Sequence, residues 1–458
     1  MSDSSQISGN SYEPLRRLLS DSKMEELRKK IKIRNDIQEV NWNEETVPFS
    51  EIEQSGWEPQ LLIAIDGDYS KQIINNGFPG AEVGYITIST VVILVDKLKE
   101  LEKSRFVDPK LYRETEKPTS IDSLMVGCNV VLNGEVSAKS TMRKLFFEKL
   151  SEERVFSDTE TLLETYEELL KIKRAQGSSN PPDCPHEGCN SPLKEGYGEY
   201  FCDECGGKLY STDALRLHEL MKPSGTNGEM YGQIQETIKK IQLIHLLRSF
   251  EQKPDWFSTL GHIAFFMEGT LAVFSASSWL AKCIRIELSR INQKVKEDCG
   301  LDLLIMGIEK TGNFVNHFAD IDTKENGGED NFPCQSVYLL NNDYIKKNIV
   351  LNDGNDYVYL KDTSFGRKLF YKTKSGYRVV PSIATFNNYQ SEVTTAFPAQ
   401  FPRLSDCLLL LEKLVSARYN NSVMPLATAH AEATIPINLG KTIFDEIARE
   451  MRNSSTTK

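Results

Sequence analysis

The 458-residue chain lacks any apolar run long enough to span a bilayer. Its longest strongly apolar stretch, around residues 91–95, has the length of a strand, whereas a membrane helix needs about 18 apolar residues. It also lacks a basic and apolar leader: the opening MSDSSQISGN is polar, so no secretory signal is expected. Positive charge is in deficit. Lys and Arg number 54 against 65 Asp and Glu, a net charge of −11. That argues against capture of nucleic acid by bulk positive charge and leaves open an enzyme that meets a polyanion through metal ions, a local groove or a basic partner. An even disulfide framework is missing too. Of nine cysteines, Cys128, Cys283, Cys299, Cys334 and Cys407 are scattered and read as buried small hydrophobes. An odd, scattered set suits a reducing compartment. These absences make a cytoplasmic protein without membrane association the expectation. There is no internal repeat.

What is present is a sizeable apolar fraction, 40%, beside 26% charged residues, enough to bury a core and to exclude a wholly disordered chain. Polar tails are expected at 1–12 and 453–458. Residues 61–66, LLIAID, read as a buried strand with Asp66 at its C-terminal end. Residues 83–95 read as a β-branched second strand. A helix at 137–150 is followed by one from about 158 to 175, with Ser157 and Glu160 as its capping box and Gly177 as its stop. Helices are expected at 231–250, 278–294, 404–418 and 441–451. Residues 263–274 read as a strand or hairpin, and strands are expected at 301–308, 357–370 and 377–386. The organisation is a mixed α/β chain divided into an N-terminal helical segment (1–58), a core (59–176) resumed at 216–440 after an insert at 177–215, and a C-terminal helix and tail (441–458).

The insert carries metal-ligand spacing. Four residues separate Cys184 from Cys189, two separate Cys202 from Cys205, and twelve lie between the pairs. Two such knuckles place four thiolates tetrahedrally around Zn²⁺, and Gly206 and Gly207 allow the second knuckle to turn. A closed four-thiolate site has no open position and is structural. A reducing compartment argues against two disulfides; His186 and His218 are spare ligands.

A second constellation is dispersed. Asp66 and Glu268 each end an apolar strand and precede a glycine. Either alone fits an ordinary carboxylate–glycine turn. Together they are harder to explain, because buried carboxylates need a compensating cation. Paired carboxylates at adjacent strand ends are what two-metal phosphodiester cleavage uses, with the ions about 3.5–4 Å apart. His430, in PLATAHAEATIP, is either a packed helix histidine, a metal ligand or a proton donor.

Taken in order, these segments resemble the NurA nuclease family, the DNA-end-resecting partners of the HerA hexameric ATPase. IAIDGDYS resembles the family's first motif, FFMEGTLAVF its second acidic strand, LLIMGIEKTG the strand that ends in Lys, and VMPLATAHAEATI the C-terminal motif. The likeness runs from about 61 to 437, interrupted by the insert. It implies an RNase H-like core with a mixed sheet and flanking helices, plus the small zinc ribbon. It implies Asp66, Glu268 and a helix Glu as ligands of two Mn²⁺ or Mg²⁺ ions, with His430 as the active-site His and Lys310 as the family's Lys. Glu236 is the choice for the helix Glu; Glu219 and Glu251 compete with it. Asp68 stands where the family has Ser, and Glu268 replaces the usual Asp, one methylene longer.

The activity implied is metal-dependent DNA cleavage, of 5′–3′ exonuclease or single-strand endonuclease type, by a homodimer working with a HerA-like ATPase in end repair or phage defence. Two rivals stand beside it. One is a catalytically weak DNA-end-binding or ATPase-regulating adaptor; the other is an unrelated zinc-ribbon metalloenzyme acting on small phosphate esters.

Overall fold

A computed structural model describes residues 22–31, 40–74, 81–102, 115–177, 181–323, 330–350, 359, 362–386, 394–415 and 422–434. The expected tails and the helix at 441–451 lie outside the described residues. Residues 1–41 form a unit of their own, in which the helix Ser22–Lys30 opens with Glu25 and closes on Arg28, Lys29 and Lys30. That charge order suits the helix dipole.

The remainder is built on one nine-stranded mixed sheet. Its strands are β1 (Val47–Pro48), β2 (Leu61–Ile73), β3 (Glu82–Leu94), β4 (Glu116–Val126), β7 (Ile263–Glu268), β8 (Leu304–Glu309), β9 (Ser336–Leu339), β10 (Gly366–Lys372) and β11 (Arg378–Ala384). Two further strands, β5 (Glu199–Phe201) and β6 (Lys208–Tyr210), form a separate hairpin in the insert. The large sheet runs β1-β9-β10-β11-β8-β7-β2-β3-β4. β2, β3 and β4 are antiparallel, while β7 joins β2 in parallel and β8 joins β7 in parallel. Three antiparallel strands followed by two parallel ones on the other edge of the first is the RNase H-like arrangement. β11, β10 and β9 extend it antiparallel.

Both faces of the central strands are covered, which is why β2 is apolar on consecutive positions. Ile63 and Ile65 belong to one core, with the long helix Gly228–Glu251 and the helices Ala138–Glu152, Leu162–Ala175 and Trp279–Cys299. Leu62 and Ala64 belong to the other, with the helices Leu404–Leu414 and Met424–Ala433. No helix among the described residues is long and apolar enough to cross a membrane.

Several local expectations need correction. β2 does not end at Asp66: it runs on to Ile73, because β3 keeps pairing with it residue for residue, Asp66 opposite Ser89. What ends near Asp66 is the parallel pairing with β7, whose last partners are Ile65 and Met267. Of the two readings of 263–274, strand or hairpin, the structure has the strand, over Ile263–Glu268. Gly269 at φ +85° turns the chain out of β7, and Leu271 and Val273 return to the core. The capping box of the helix expected from about 158 to 175 is Thr161 with Glu164, one turn later than Ser157 with Glu160, and the helix starts at Leu162. Glu160 instead receives the Arg248 guanidinium at 2.6 and 2.9 Å. β4 was not anticipated. Pro118 disguises it, and it is tolerated because β4 is the sheet's edge strand.

The insert is seated on the main body by buried polar contacts. Arg143, on the helix Ala138–Glu152, donates through Nε and Nη2 to Asp213 at 2.7 and 2.6 Å and through Nη2 to the Lys208 carbonyl at 2.9 Å. Both side chains are almost fully buried, 4% and 1% exposed. Tyr166 donates its hydroxyl hydrogen to the Ser211 carbonyl at 2.9 Å.

Candidate active site and metal centre

The four insert cysteines converge. Their Sγ atoms all lie within 4.8 Å of one another, with Cys184–Cys205 and Cys189–Cys202 both at 3.9 Å. Four thiolates on a tetrahedral Zn²⁺ at about 2.3 Å stand about 3.8 Å apart, so the donor set and its size fit zinc. The knuckle amides already favour the charged form of one thiol. The Cys205 backbone N–H, then the Ser191 hydroxyl, pull Cys202 down to about 6. His186 stays outside the tetrad, with Nδ1 3.3 Å from Cys184 Sγ and 3.7 Å from Cys205 Sγ. Its ring covers Gly207 so closely that a Cβ there would sit 2.5 Å from it. His218 is buried elsewhere, with Nδ1 3.9 Å from Asp213.

The second site forms where β7 and β8 end beside β2. Asp66 on β2 and Glu268 on β7 follow the paired residues Ile65 and Met267, so they occupy neighbouring positions on parallel strands. Asp66 is 1% exposed. Its Oδ1 accepts from the Gly67 N–H at 2.7 Å, and Oδ2 accepts from Lys310 Nζ at 2.7 Å. His430 Nδ1 lies 3.3 Å from the same Oδ2. Lys310 stands just past β8, which brings it level with Asp66. His430 comes from the helix Met424–Ala433, which packs on β2 and β3. Burial pushes the Asp66 carboxyl up, but the hydrogen bond from His430 and the charges of Lys310 and Lys239 outweigh it, and the net shift is downward. The same hydrogen bond raises His430 above its usual value.

Glu236 lies on the long helix, from the opposite face of the sheet. It meets Glu268 through a lysine. Lys239 Nζ stands 2.7 Å from Glu236 Oε1 and 2.5 Å from Glu268 Oε2, and its side chain is wholly buried. Lys240 Nζ stands 3.2 Å from Glu236 Oε2. Burial opposes the charge on Lys239, yet Glu236, Glu268 and Asp66 together raise its pKa. The competing residues go elsewhere. Glu219 pairs with Arg216, and Glu251 pairs with Arg290 and Lys294 at the far end of the helix, about 22 Å along from Glu236 at 1.5 Å per residue. Asp68 accepts from the Tyr69 N–H at 2.8 Å and contributes to the field on His430.

Three carboxylates and one imidazole are hard, oxygen-rich donors of the kind that suit Mg²⁺ or Mn²⁺, and Asp66 is too buried to carry its charge without a cation. The donor chemistry fits. The carboxylates are nevertheless not gathered into a group as tight as the cysteines; lysines stand between them. Sequence reading missed Lys239 and Lys240. The available signal was two adjacent lysines, in ETIKKIQLI, on a helix otherwise apolar at those turns. It also missed the ion pair of Lys368 with Glu309, the last residue of β8.

Comparison with known proteins gives one family. The NurA domain pattern matches residues 60–435. Two solved structures align at 10% identity. One is the crystal structure of the NurA nuclease from Sulfolobus solfataricus, covering 97% of each chain with a TM-score of 0.33. The other is a crystal structure of NurA, covering 97% of this chain and 98% of that one with a TM-score of 0.26. No curated protein sequence matches. A family match across this much of the sequence, carrying Asp66, Glu268, Lys310 and His430 within it, settles the point: the chain belongs to the NurA domain family.

Proposed function

We propose that the protein is a metal-dependent deoxyribonuclease that processes DNA ends together with a HerA-like hexameric ATPase. The observation that supports this best is the placement of Asp66 and Glu268 side by side on two parallel central strands, with Lys310 and His430 both on Asp66, in a chain of the NurA family. Asp66 and Glu268 are the core ligands; the family resemblance implies His430 and a helix Glu beside them, and Glu236 is the helix Glu that stands near Glu268, joined to it through Lys239. When bound, Mn²⁺ or Mg²⁺ lowers the pKa of an attacking water and stabilises the leaving 3′-oxygen. The chain's own groups do the rest. Lys310 places positive charge beside Asp66, where a scissile phosphate would lie. His430 is a ligand when neutral and a proton donor when charged, and its contact with Asp66 favours the charged form. The four-cysteine insert holds structural Zn²⁺.

A two-fold dimer docked on the ATPase ring would receive DNA from its motor. The net charge of −11 accords with an enzyme that does not capture DNA unaided. One observation favours the adaptor reading instead: each site carboxylate already has a lysine partner. End-labelled linear duplex DNA, incubated with Mn²⁺ with and without the cognate ATPase and ATP, decides between them. Cleavage lost in Asp66→Ala supports the nuclease. Absence of cleavage in every condition, with the fold intact, leaves the adaptor.

A further inference from the structure

We propose that Lys239 is a resident cation of this site, standing between Glu236 and Glu268 in place of a second divalent ion, so that each chain binds one catalytic Mn²⁺ or Mg²⁺ and Glu236 anchors the lysine rather than the metal. The inference rests on the nuclease reading of the site and refines it.

Three features carry it. First, both oxygens of Glu236 face cations: Lys239 Nζ is 2.7 Å from Oε1 and Lys240 Nζ is 3.2 Å from Oε2. Glu268 gives only Oε2 to a lysine, and Asp66 Oδ1 accepts only from the amide of its own neighbour, Gly67. Among the described residues, each strand carboxylate thus keeps an oxygen with no cation on it, and the helix carboxylate keeps none. Second, Lys239 is built in. Its side chain is fully buried on a helix packed against β2 and β3. An ammonium there is tolerable only while its carboxylates hold it, and two of them stand within 2.7 Å. Third, the charges nearly balance already. Asp66, Glu236 and Glu268 stand against Lys239, Lys240 and Lys310, and Asp68, which acts on His430, adds one negative charge. One divalent ion and one phosphodiester then bring the site to neutrality, whereas two ions leave two positive charges, with His430 neutral. A site with three carboxylates and no lysines would call for the second ion; this one does not.

The test is Mn²⁺ binding to the full-length, zinc-loaded protein, by equilibrium dialysis and electron paramagnetic resonance, with Asp66→Asn defining the ions that belong to the site. The expected result is one ion per chain lost in Asp66→Asn, with the six-line signal of an isolated Mn²⁺. Lys239→Met, neutral and of similar length, should take up a second ion and show the broadened signal of a coupled pair, while Lys239→Arg stays at one. Two ions in the wild type, both lost in Asp66→Asn, would overturn the proposal and leave the nuclease reading standing. No site ion at all would remove both. One ion in the wild type and still one in a folded Lys239→Met would also overturn it. If Lys239→Met does not fold, Glu236→Gln decides: the single ion stays with its affinity changed less than threefold, and its loss would make Glu236 a ligand and refute the assignment.

Discussion

Removing the Asp213 carboxylate should unseat the zinc insert from the main body while leaving the sheet folded. Arg143 and Asp213 form a two-pronged ion pair, almost wholly buried, and each makes one further bond: Arg143 to the Lys208 carbonyl and Asp213 to the Tyr210 N–H at 2.9 Å. Deleting one partner of such a pair strands the other charge, at about 3–5 kcal/mol. A factor of ten costs about 1.4 kcal/mol. Asp213→Ala should therefore lower the hydrogen-exchange protection of the amides of β5, β6 and the following turn by roughly two to three and a half orders of magnitude. The readout is exchange mass spectrometry of peptides covering 199–217, with peptides of β2 and β7 as the internal standard. The double variant Arg143→Met/Asp213→Leu removes both charges together. It leaves no bare charge, and what remains is the cost of orphaning two backbone groups, the Tyr210 N–H and the Lys208 carbonyl, about 1–3 kcal/mol each. A fall of less than tenfold in Asp213→Ala would refute the argument, because the insert would then be held by its other contacts, among them Tyr166 with Ser211, Lys173 with Glu195 and the Gly198 N–H with Glu167.

Three other outcomes are expected. In the metal-free protein the Asp66 hydrogen bond raises His430, so that contact is at full strength below the unfolded value of about 6.5 and fades as pH climbs through the folded value; Asp66→Asn should lower the titration midpoint of the His430 imidazole by NMR, and an unmoved midpoint would sever the link. For Glu251, burial pushes the carboxyl up but Arg290 and Lys294 bring it down to about 2; its clamp between the two long helices is present above about 4.5 and is lost as pH falls toward 2, and Glu251→Gln should flatten the acid limb of the stability curve measured by circular dichroism. Finally, a Cβ on Gly307 would sit 2.6 Å from the Gly269 carbonyl and 2.7 Å from Ser382 Oγ; Gly307→Ala should cost about 1–3 kcal/mol by overpacking, read as a lowered melting temperature, and a neutral result would mean the turn after Glu268 is free to shift.

The central strands were legible because both their faces are buried, which compresses β2, β7 and β8 into short apolar runs that composition alone exposes. The cysteine insert was legible because the chemistry of a closed metal site dictates spacing. Asp66 and Glu268 stood out for a related reason, a charge at the end of an apolar run. β4 was hidden by Pro118 and by a half-exposed pattern, since an edge strand has one polar face and tolerates a missing donor. The lysines were hidden more deeply. Lys239 and Lys240 look like an ordinary solvated pair, and only the fold reveals that the helix face they occupy is turned toward the carboxylates. The capping box was misplaced by one turn because Ser157–Glu160 and Thr161–Glu164 satisfy the same spacing, and what separates them is the Arg248 guanidinium, some ninety positions away in the chain.

The uninterrupted pairing of β2 with β3 through Asp66 bears on how the chain finds its native alignment. A sheet with one wet face resists a one-residue slip, because a slip would send its whole apolar set into water. β2 has no such safeguard: Leu62, Ile63, Ala64 and Ile65 are all buried, alternately on two apolar cores, and trading the cores would expose none of them. The residue that breaks this degeneracy is the carboxylate itself. On the His430 side Asp66 meets both Lys310 and the imidazole, so a slipped strand would part the buried carboxylate from these two partners. The acid that the chemistry requires thus doubles as the alignment mark of the strand that carries it, and replacing it with an apolar residue of similar size is expected to widen the set of pairings the folding chain explores.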